Sequence, residues 1–200
     1  MNKWVWIGLG VAIMSGLLGW LFIESSKPLP GEKQVYNCDN YIDFSKLQNE
    51  NISDKCRVHV PVGTEVKYLT NPPTHGPHYA EWVKPGVYEI ERDDRNLVHS
   101  LEHGYIVMSY RCSQGNMGNQ GEATGSGEVD EGCKQRKEQL SQVYEKKGKK
   151  KLIVVPKSNL DTIFALTAWS YIDKFDEFDQ SRVEKFIDAH KDMGPEKTME

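Results

Sequence analysis

Residues 4–23 are a run of twenty amino acids that contains no charged side chain. As an α-helix this run would be about 30 Å long, which is the thickness of the hydrocarbon core of a bilayer. Trp4, Trp6 and Trp20 lie near its two ends, where indole rings favour the membrane interface. We therefore predict an uncleaved signal-anchor over residues 1–24. The alternative is a cleaved signal peptide, but that would have a shorter apolar core and a small-residue cleavage site.

The rest of the chain is predicted to consist of a linker and one domain. Residues 25–35 contain two prolines and a glycine, which disfavour regular structure and indicate a linker. Residues 36–200 are long enough to bury a core of their own. Within them, residues 113–132 are rich in glycine and poor in apolar side chains, so we predict a mobile loop there.

The domain is predicted to have an α+β fold, with a small mixed or antiparallel sheet and helices segregated from it. Apolar and β-branched runs predict the strands, and residues 105–110 are expected to be central in the sheet. A charged pattern predicts a helix over residues 133–147, and a closing helix is expected to begin near Asp179, with Val183, Phe186 and Ile187 on its inner face. The other strand candidates are residues 57–61, 65–69, 83–90, 151–156 and 163–171.

The four cysteines are even in number, and no two of them form a C-x-x-C motif. This pattern favours two structural disulfides, and therefore a domain on the oxidising, extracytoplasmic side of the membrane. Three pairings can be drawn, of which the local one closes the shortest loops; the alternative is four reduced thiols in a cytosolic domain. The local pairing would join Cys38 to Cys56 and Cys112 to Cys133.

The charge balance bears on the class of partner. Acidic residues outnumber basic ones by 29 to 25, so nucleic acid is not an expected partner. The sequence indicates no particular protein partner, and the membrane is expected to be contacted through residues 4–23.

The main candidate site combines a proline-rich loop, N-P-P-T-H-G-P-H-Y, with the stretch H-S-L-E-H-G. Imidazole is the commonest metal ligand, and a stiff loop loses little entropy when it binds an ion. We predict that His78, His99 and His103 converge as ligands. Glu102 is either a fourth ligand or the acceptor that orients an imidazole. Gly104 would end the turn and allow backbone to approach closely.

The metal is predicted to be copper or zinc. A thioether such as Met108 would favour copper(I), whereas histidine with carboxylate suits zinc. His75 and Met108 are less favoured ligand candidates. His75 has no carboxylate at helical spacing, and a methionine in an apolar strand usually belongs to the core.

Three other interpretations remain open. The histidines could form a turn that is held by hydrogen bonds, or the chain could be a metal-free interaction domain. It could also be a metal-dependent hydrolase with Glu102 as general base. H-x-x-E-H also matches inverted zinc peptidases, but those need the motif inside a long helix, and Gly104 follows it at once.

The ordered motifs N-P-P-T-H-G-P-H-Y, V-H-S-L-E-H-G and a final G-P-E resemble an uncharacterised bacterial family of membrane-anchored extracytoplasmic domains. The family signature has serine where this chain has His75. The resemblance implies a shared fold, an anchor and a shared site around His78, His99 and His103, but no activity. The positions that carry over are Pro72, Pro73, Gly76, His78, His99, Glu102, His103, Gly104, Trp169, Gly194, Pro195 and Glu196.

Overall fold

A computed structural model describes residues 3, 6, 9–10, 13–19, 29–35, 37–47, 52–112 and 131–198. Much of the predicted anchor, the first part of the predicted linker, and residues 113–130 of the predicted glycine-rich loop lie outside these ranges. Within them, no helix is both long enough and apolar enough to cross a bilayer.

The domain is a mixed α+β fold built on a six-stranded sheet with the strand order β1-β6-β5-β3-β4-β2. Strand β4 pairs in parallel with β3 and β2, and the remaining pairs are antiparallel. The strands are β1 (Glu32–Lys33), β2 (Gly86–Val87), β3 (Ile106–Tyr110), β4 (Leu152–Pro156), β5 (Phe164–Ala168) and β6 (Tyr171–Phe175). The helices are α1 (Asp94–Glu102), α2 (Glu131–Lys146) and α3 (Gln180–His190), with short 3-10 turns at Phe44–Lys46 and Lys55–Arg57.

Strand β3 is central, as predicted, and separates two apolar layers. Side chains of a strand alternate between the two faces of its sheet. Ile106 and Met108 pack on one face with residues of α2 and α3, whereas Val107 packs on the other face with Leu97 and Leu101 of α1. Met108 is therefore a core residue on the face opposite α1, away from the histidines of that helix.

Two predicted features of helix α3 are confirmed. Asp179 caps the helix, because its carboxylate accepts a hydrogen bond from the backbone N–H of Arg182 at 3.1 Å. Val183, Phe186 and Ile187 are fully buried against the sheet.

The prediction of one strand over residues 163–171 is wrong. The chain forms strands β5 and β6, which are joined by a tight turn at Trp169 and Ser170. Ser170 has a left-handed backbone with φ of 63°, a conformation that glycine or asparagine usually provides. Because neither residue is present, no turn was predictable at this position.

The early strand predictions are also corrected. Residues 57–61 and 65–69 form no regular strand; the first segment makes only an isolated parallel bridge between His59 and His78. Residues 83–90 contribute only the two residues of β2. Prolines lack the N–H group that a sheet requires, and Pro61 and Pro85 interrupt these runs.

Part of the predicted linker is attached to the domain. Strand β1 pairs with β6 at the edge of the sheet. The His190 ring donates a hydrogen bond from Nε2 to the carbonyl oxygen of Pro30 at 2.7 Å. Residues 30–33 are therefore held against α3 and β6 and do not act as a free spacer.

Both disulfides form, with the pairing that closes the shortest loops. Cys38 is bonded to Cys56 and Cys112 to Cys133, with Cα–Cα distances of 5.3 and 5.2 Å. No free cysteine remains. The prediction of two structural disulfides is thus confirmed in the fold, and the open question of their pairing is answered.

Candidate functional site

Helix α1 and the residue that caps its end present the three ionisable residues of the H-S-L-E-H-G motif on one face. Asp93 caps the helix start, and His99, Glu102 and His103 follow at the i, i+3 and i+4 spacing that places side chains together. All three side chains are buried. The helix ends at Glu102, and Gly104 takes the left-handed conformation with φ of 81° that commonly ends a helix.

The C-terminal segment closes over this helix end through two glycines. Asp192 donates a backbone hydrogen bond to the carbonyl of Gly104 at 2.9 Å, and Glu196 donates one to the carbonyl of Glu102 at 3.0 Å. A Cβ atom on Gly104 would lie 2.8 Å from the Cα atom of Asp192, and one on Gly194 would overlap backbone atoms of Glu102 and Gly104. The close backbone approach predicted for Gly104 is therefore present.

The proline-rich loop packs against α1, as the sequence predicted. His78 is fully buried, and its ring centre lies 4.9 Å from that of His99. His59 joins the pair through the isolated bridge, with ring centres 5.0 Å from His78 and 4.8 Å from His99. Three histidines from separate segments therefore converge.

Backbone carbonyls fix which nitrogen of two imidazoles can bind an ion. The Nδ1 atom of His78 lies 2.7 Å from the carbonyl oxygen of Gly76, and Nδ1 of His99 lies 2.7 Å from that of Tyr79. A carbonyl can only accept, so both Nδ1 atoms carry the proton and donate. In the neutral rings, Nε2 is then left with a lone pair. Metal-bound histidines commonly have this arrangement, with the second nitrogen donating to a carbonyl.

The lone pair on His78 faces a carboxylate inside the protein. Its Nε2 atom lies 2.9 Å from Oε2 of Glu102, both side chains are almost completely buried, and Nε2 has no partner in hydrogen-bonding geometry. Two acceptors this close repel each other unless a positive charge lies at the contact. That charge is either a second proton on His78 or a bound cation.

Arg57 holds the other oxygen of Glu102. Its Nε–H donates to Oε1 at 2.5 Å. Burial alone would raise the pKa of Glu102, but the contacts with His78 and Arg57 outweigh it and lower that pKa to about 2. Glu102 is therefore ionised at neutral pH and fixed in position by its partners.

His99 is held in its neutral form. Burial lowers its pKa to about 4, and the neighbouring His78 contributes in the same direction. Its Nε2 atom lies 3.0 Å from Nε2 of His103, so the N–H of His103 can donate to the lone pair of His99. A neutral imidazole is the form that binds metal ions. His103 also lies 3.7 Å from the carboxylate of Glu196.

The set of side chains that could surround one ion is His59, His78, His99 and Glu102. One ligand atom from each lies within 4.8 Å of the others. Tetrahedral zinc with bonds near 2.0–2.1 Å would separate its ligands by about 3.3 Å, so the cluster needs only a modest contraction. His103 lies beside this set, next to His99 and against the ring of Trp82.

The cluster reaches the protein surface at His59. The side chain of His59 is exposed, whereas the other three are buried. It lines a groove of about 680 Å³ together with Arg57, Glu102 and Glu196. An ion or a partner could therefore reach the cluster through His59.

Three of the predicted site residues, His78, His99 and Glu102, lie together, and His103 lies adjacent to them. His59 was missed, because a single histidine in R-V-H-V-P carries no local metal signal and joins the others only through the bridge to His78. His75 lies instead beside the disulfide between Cys38 and Cys56.

The shifted pKa values predict how the metal-free domain responds to acid. The unfolded chain binds a proton at His99 below about pH 6.5, but the folded protein does so only below about pH 4, so the free energy of unfolding should fall between these values. Protonation of Glu102 should lower the free energy of unfolding further as the pH falls from about 4.5 to about 2. Each step is on the order of 3 kcal/mol.

Urea denaturation of the metal-free protein at several pH values from neutral downwards measures this dependence. Glu102→Gln should remove the lower step and leave the upper one. A free energy of unfolding that stays constant from neutral pH down to about pH 4 would contradict the assigned shift of His99.

Fold and site together define a small α+β domain with a buried cluster of histidine and glutamate that opens at one histidine. The family model described as "Protein of unknown function (DUF3105)" matches residues 59–120 and 129–200, more than half of the chain. The chain therefore belongs to this family. The matched ranges include all four residues of the cluster, whereas Cys38 and Cys56 precede them. No match was found among curated proteins or among solved structures.

Proposed function

We propose that this protein is a membrane-anchored extracytoplasmic domain that binds one transition-metal ion through His59, His78 and His99, with Glu102 as a ligand or a close anionic neighbour. The observation that carries the proposal is the buried contact of 2.9 Å between Nε2 of His78 and the ionised carboxylate of Glu102, which requires a positive charge between them. A divalent cation would satisfy the lone pair and the negative charge together.

Zinc or copper(II) suits these ligands best. Imidazole nitrogens with one carboxylate oxygen are typical of both ions, whereas thioether sulfur favours copper(I). The methionine considered from the sequence, Met108, lies in the core on the opposite face of the sheet. This placement removes the reason to favour copper(I) at the cluster.

A binding role is favoured over hydrolysis because of the state of Glu102. A general base works best when its pKa lies near the working pH. The pKa of Glu102 is about 2, and both of its oxygens are engaged, one by Arg57 and one facing His78. Glu102 is thus a weak base but a good fixed anion. The metal-dependent hydrolase remains the second candidate only because a groove of about 680 Å³ lies beside His59.

The cluster is suited to taking up and passing on an ion. His78 and His99 are rigidly oriented by backbone carbonyls and would give affinity, while the exposed His59 stands at the groove. A ligand at the surface can exchange with a partner without unfolding the site. Storage, delivery or sensing of the metal would all use this arrangement.

The anchor and its orientation are part of the proposal. They are supported by the uncharged run at residues 4–23 and by the two disulfides, which form in oxidising compartments. Protease added outside intact cells should degrade the domain while a cytosolic marker survives. Protection of the domain from that protease would contradict the orientation.

The metal content of the purified protein tests the main proposal. Protein prepared without chelators, or stripped and then given zinc or copper(II), should hold one equivalent that survives gel filtration. Elemental analysis measures this directly. A protein that retains no metal above the buffer level, and takes up none from either solution, would contradict it.

A further inference from the structure

A second group of ligand-forming side chains lies away from the cluster around His78. It consists of Cys38, Cys56 and His75, and one ligand atom from each lies within 4.8 Å of the others. In the structure the two sulfurs are joined in a disulfide. We propose that this disulfide is a redox gate, and that its reduction creates a second metal site made of two thiolates and one imidazole.

The surroundings suit such a site. Cys38 and His75 are almost completely buried, and an isolated charge there would be costly. A divalent ion with two thiolates and a neutral imidazole carries no net charge, so this cost is avoided. The Thr74 hydroxyl lies 2.9 Å from Nδ1 of His75, and this hydrogen bond can fix the orientation of the ring.

The geometry requires only a small rearrangement. Zinc–sulfur bonds near 2.3 Å in a tetrahedron place two thiolates about 3.8 Å apart, so the sulfurs must separate once their bond is broken. The 3-10 turn Lys55–Arg57 carries Cys56, and Asp54 caps it with a hydrogen bond to the Cys56 N–H at 2.9 Å. This hydrogen bond does not depend on the disulfide, and side-chain rotation can supply the movement of the sulfurs.

The gating reaction is a dithiol–disulfide exchange. A thiolate of an external dithiol attacks Sγ of Cys56, which is half-buried, whereas Cys38 is almost fully buried. Cys38 leaves as a thiolate, and the second thiol of the reductant then releases Cys56 and closes the reductant into a disulfide. Two electrons pass to the protein sulfurs, and zinc binding displaces the two thiol protons to water.

The chain contains an internal control for this proposal. The disulfide between Cys112 and Cys133 is similar in span, but among the described residues no histidine is grouped with it. Cys38 and Cys56 also precede the ranges matched by the family model. The second site would thus be a property of this chain that is separate from the cluster shared within the matched ranges.

The test uses the full chain with Cys112→Ser and Cys133→Ser, so that one disulfide remains. Bound zinc is counted before and after reduction with a phosphine that is then removed, and cobalt(II) is used as a probe of thiolate ligation. Reduction should add one equivalent of zinc and produce a sulfur-to-cobalt charge-transfer band. His75→Ala should weaken the affinity for the added zinc by more than the roughly 10- to 100-fold that is lost with a residue that only hydrogen-bonds to a ligand.

Two further variants separate this proposal from the first site. Cys38→Ser with Cys56→Ser should lose the added equivalent, whereas His59→Ala with His99→Ala should keep it. No added zinc on reduction, or added zinc with undiminished affinity in His75→Ala, would overturn the proposal. Loss of the folded state on reduction, seen by circular dichroism, would overturn it too, because the site would then not exist.

Discussion

Replacing His78 and His99 together by alanine should abolish binding of the single equivalent of zinc or copper(II). These two side chains have their Nδ1 atoms fixed on the carbonyls of Gly76 and Tyr79, so both Nε2 atoms are presented at little entropic cost. Loss of either imidazole alone should weaken the metal affinity by at least about 100-fold. That is the largest loss typical of residues that only hydrogen-bond to a ligand, and a direct ligand should cost at least as much. Competition with a chromogenic chelator measures the affinity.

The matched control is His190→Gln. His190 is also a buried histidine, but its Nε2 atom donates to Pro30 near β1, outside the cluster. Its replacement should leave metal affinity unchanged. A double variant at His78 and His99 that stays folded and still binds one equivalent at wild-type affinity would exclude the proposed site.

His103→Asn distinguishes two roles for His103. In the metal-free protein His103 donates its Nε2–H to the Nε2 lone pair of His99 that would bind the ion, so this hydrogen bond must break when metal binds. If this is the only role of His103, its replacement by asparagine should not lower the affinity. A loss as large as that of His78→Ala would instead make His103 a direct ligand, as the sequence analysis predicted. Equilibrium titration of both variants under identical conditions separates the two roles.

Alanine at Gly104 or Gly194 should destabilise the domain strongly, by roughly 2–4 kcal/mol each. Gly104 has a φ of 81°, and a Cβ there would press on the Cα of Asp192. A Cβ at Gly194 would overlap the backbone of Glu102 and Gly104. In both cases rigid main chain must move, so the C-terminal segment can no longer close over the end of α1. Urea denaturation measures the free energy of unfolding.

Gly148→Ala is the control for backbone strain alone. Its φ of 80° is almost the same as that of Gly104, but an added Cβ would meet no atom within 4 Å. It should cost only the strain of a left-handed alanine, about 1–2 kcal/mol. Equal losses of unfolding free energy for Gly104→Ala and Gly148→Ala would show that the contact of the added Cβ with Asp192 does not contribute to the destabilisation.

Sequence signals predicted much of the fold and three of the four residues of the cluster. The apolar run at β3 placed it at the centre of the sheet, and Asp179 with its i, i+3, i+4 pattern predicted α3. The spacing of His99, Glu102 and His103 predicted a shared face if that stretch formed a helical turn. These features depend on neighbouring residues, so a single sequence suffices to find them.

The remaining features depend on contacts between distant segments. Arg57 reaches Glu102 across 45 residues, and His59 joins His78 through one bridge outside any regular strand. Neither contact has a periodic pattern that sequence analysis can detect. The left-handed turn at Ser170 was hidden for a different reason, because serine is an uncommon residue in that conformation.

Locating the bound ion is the most direct test of metal binding at the cluster. Crystals of the zinc-loaded protein, measured on both sides of the zinc absorption edge, should show one anomalous peak about 2.0–2.1 Å from Nε2 of His78 and Nε2 of His99, with both Nδ1 atoms still on their carbonyls. An empty cluster, or zinc at another place such as the His103 and Glu196 pair, would exclude a metal site at His78 and His99.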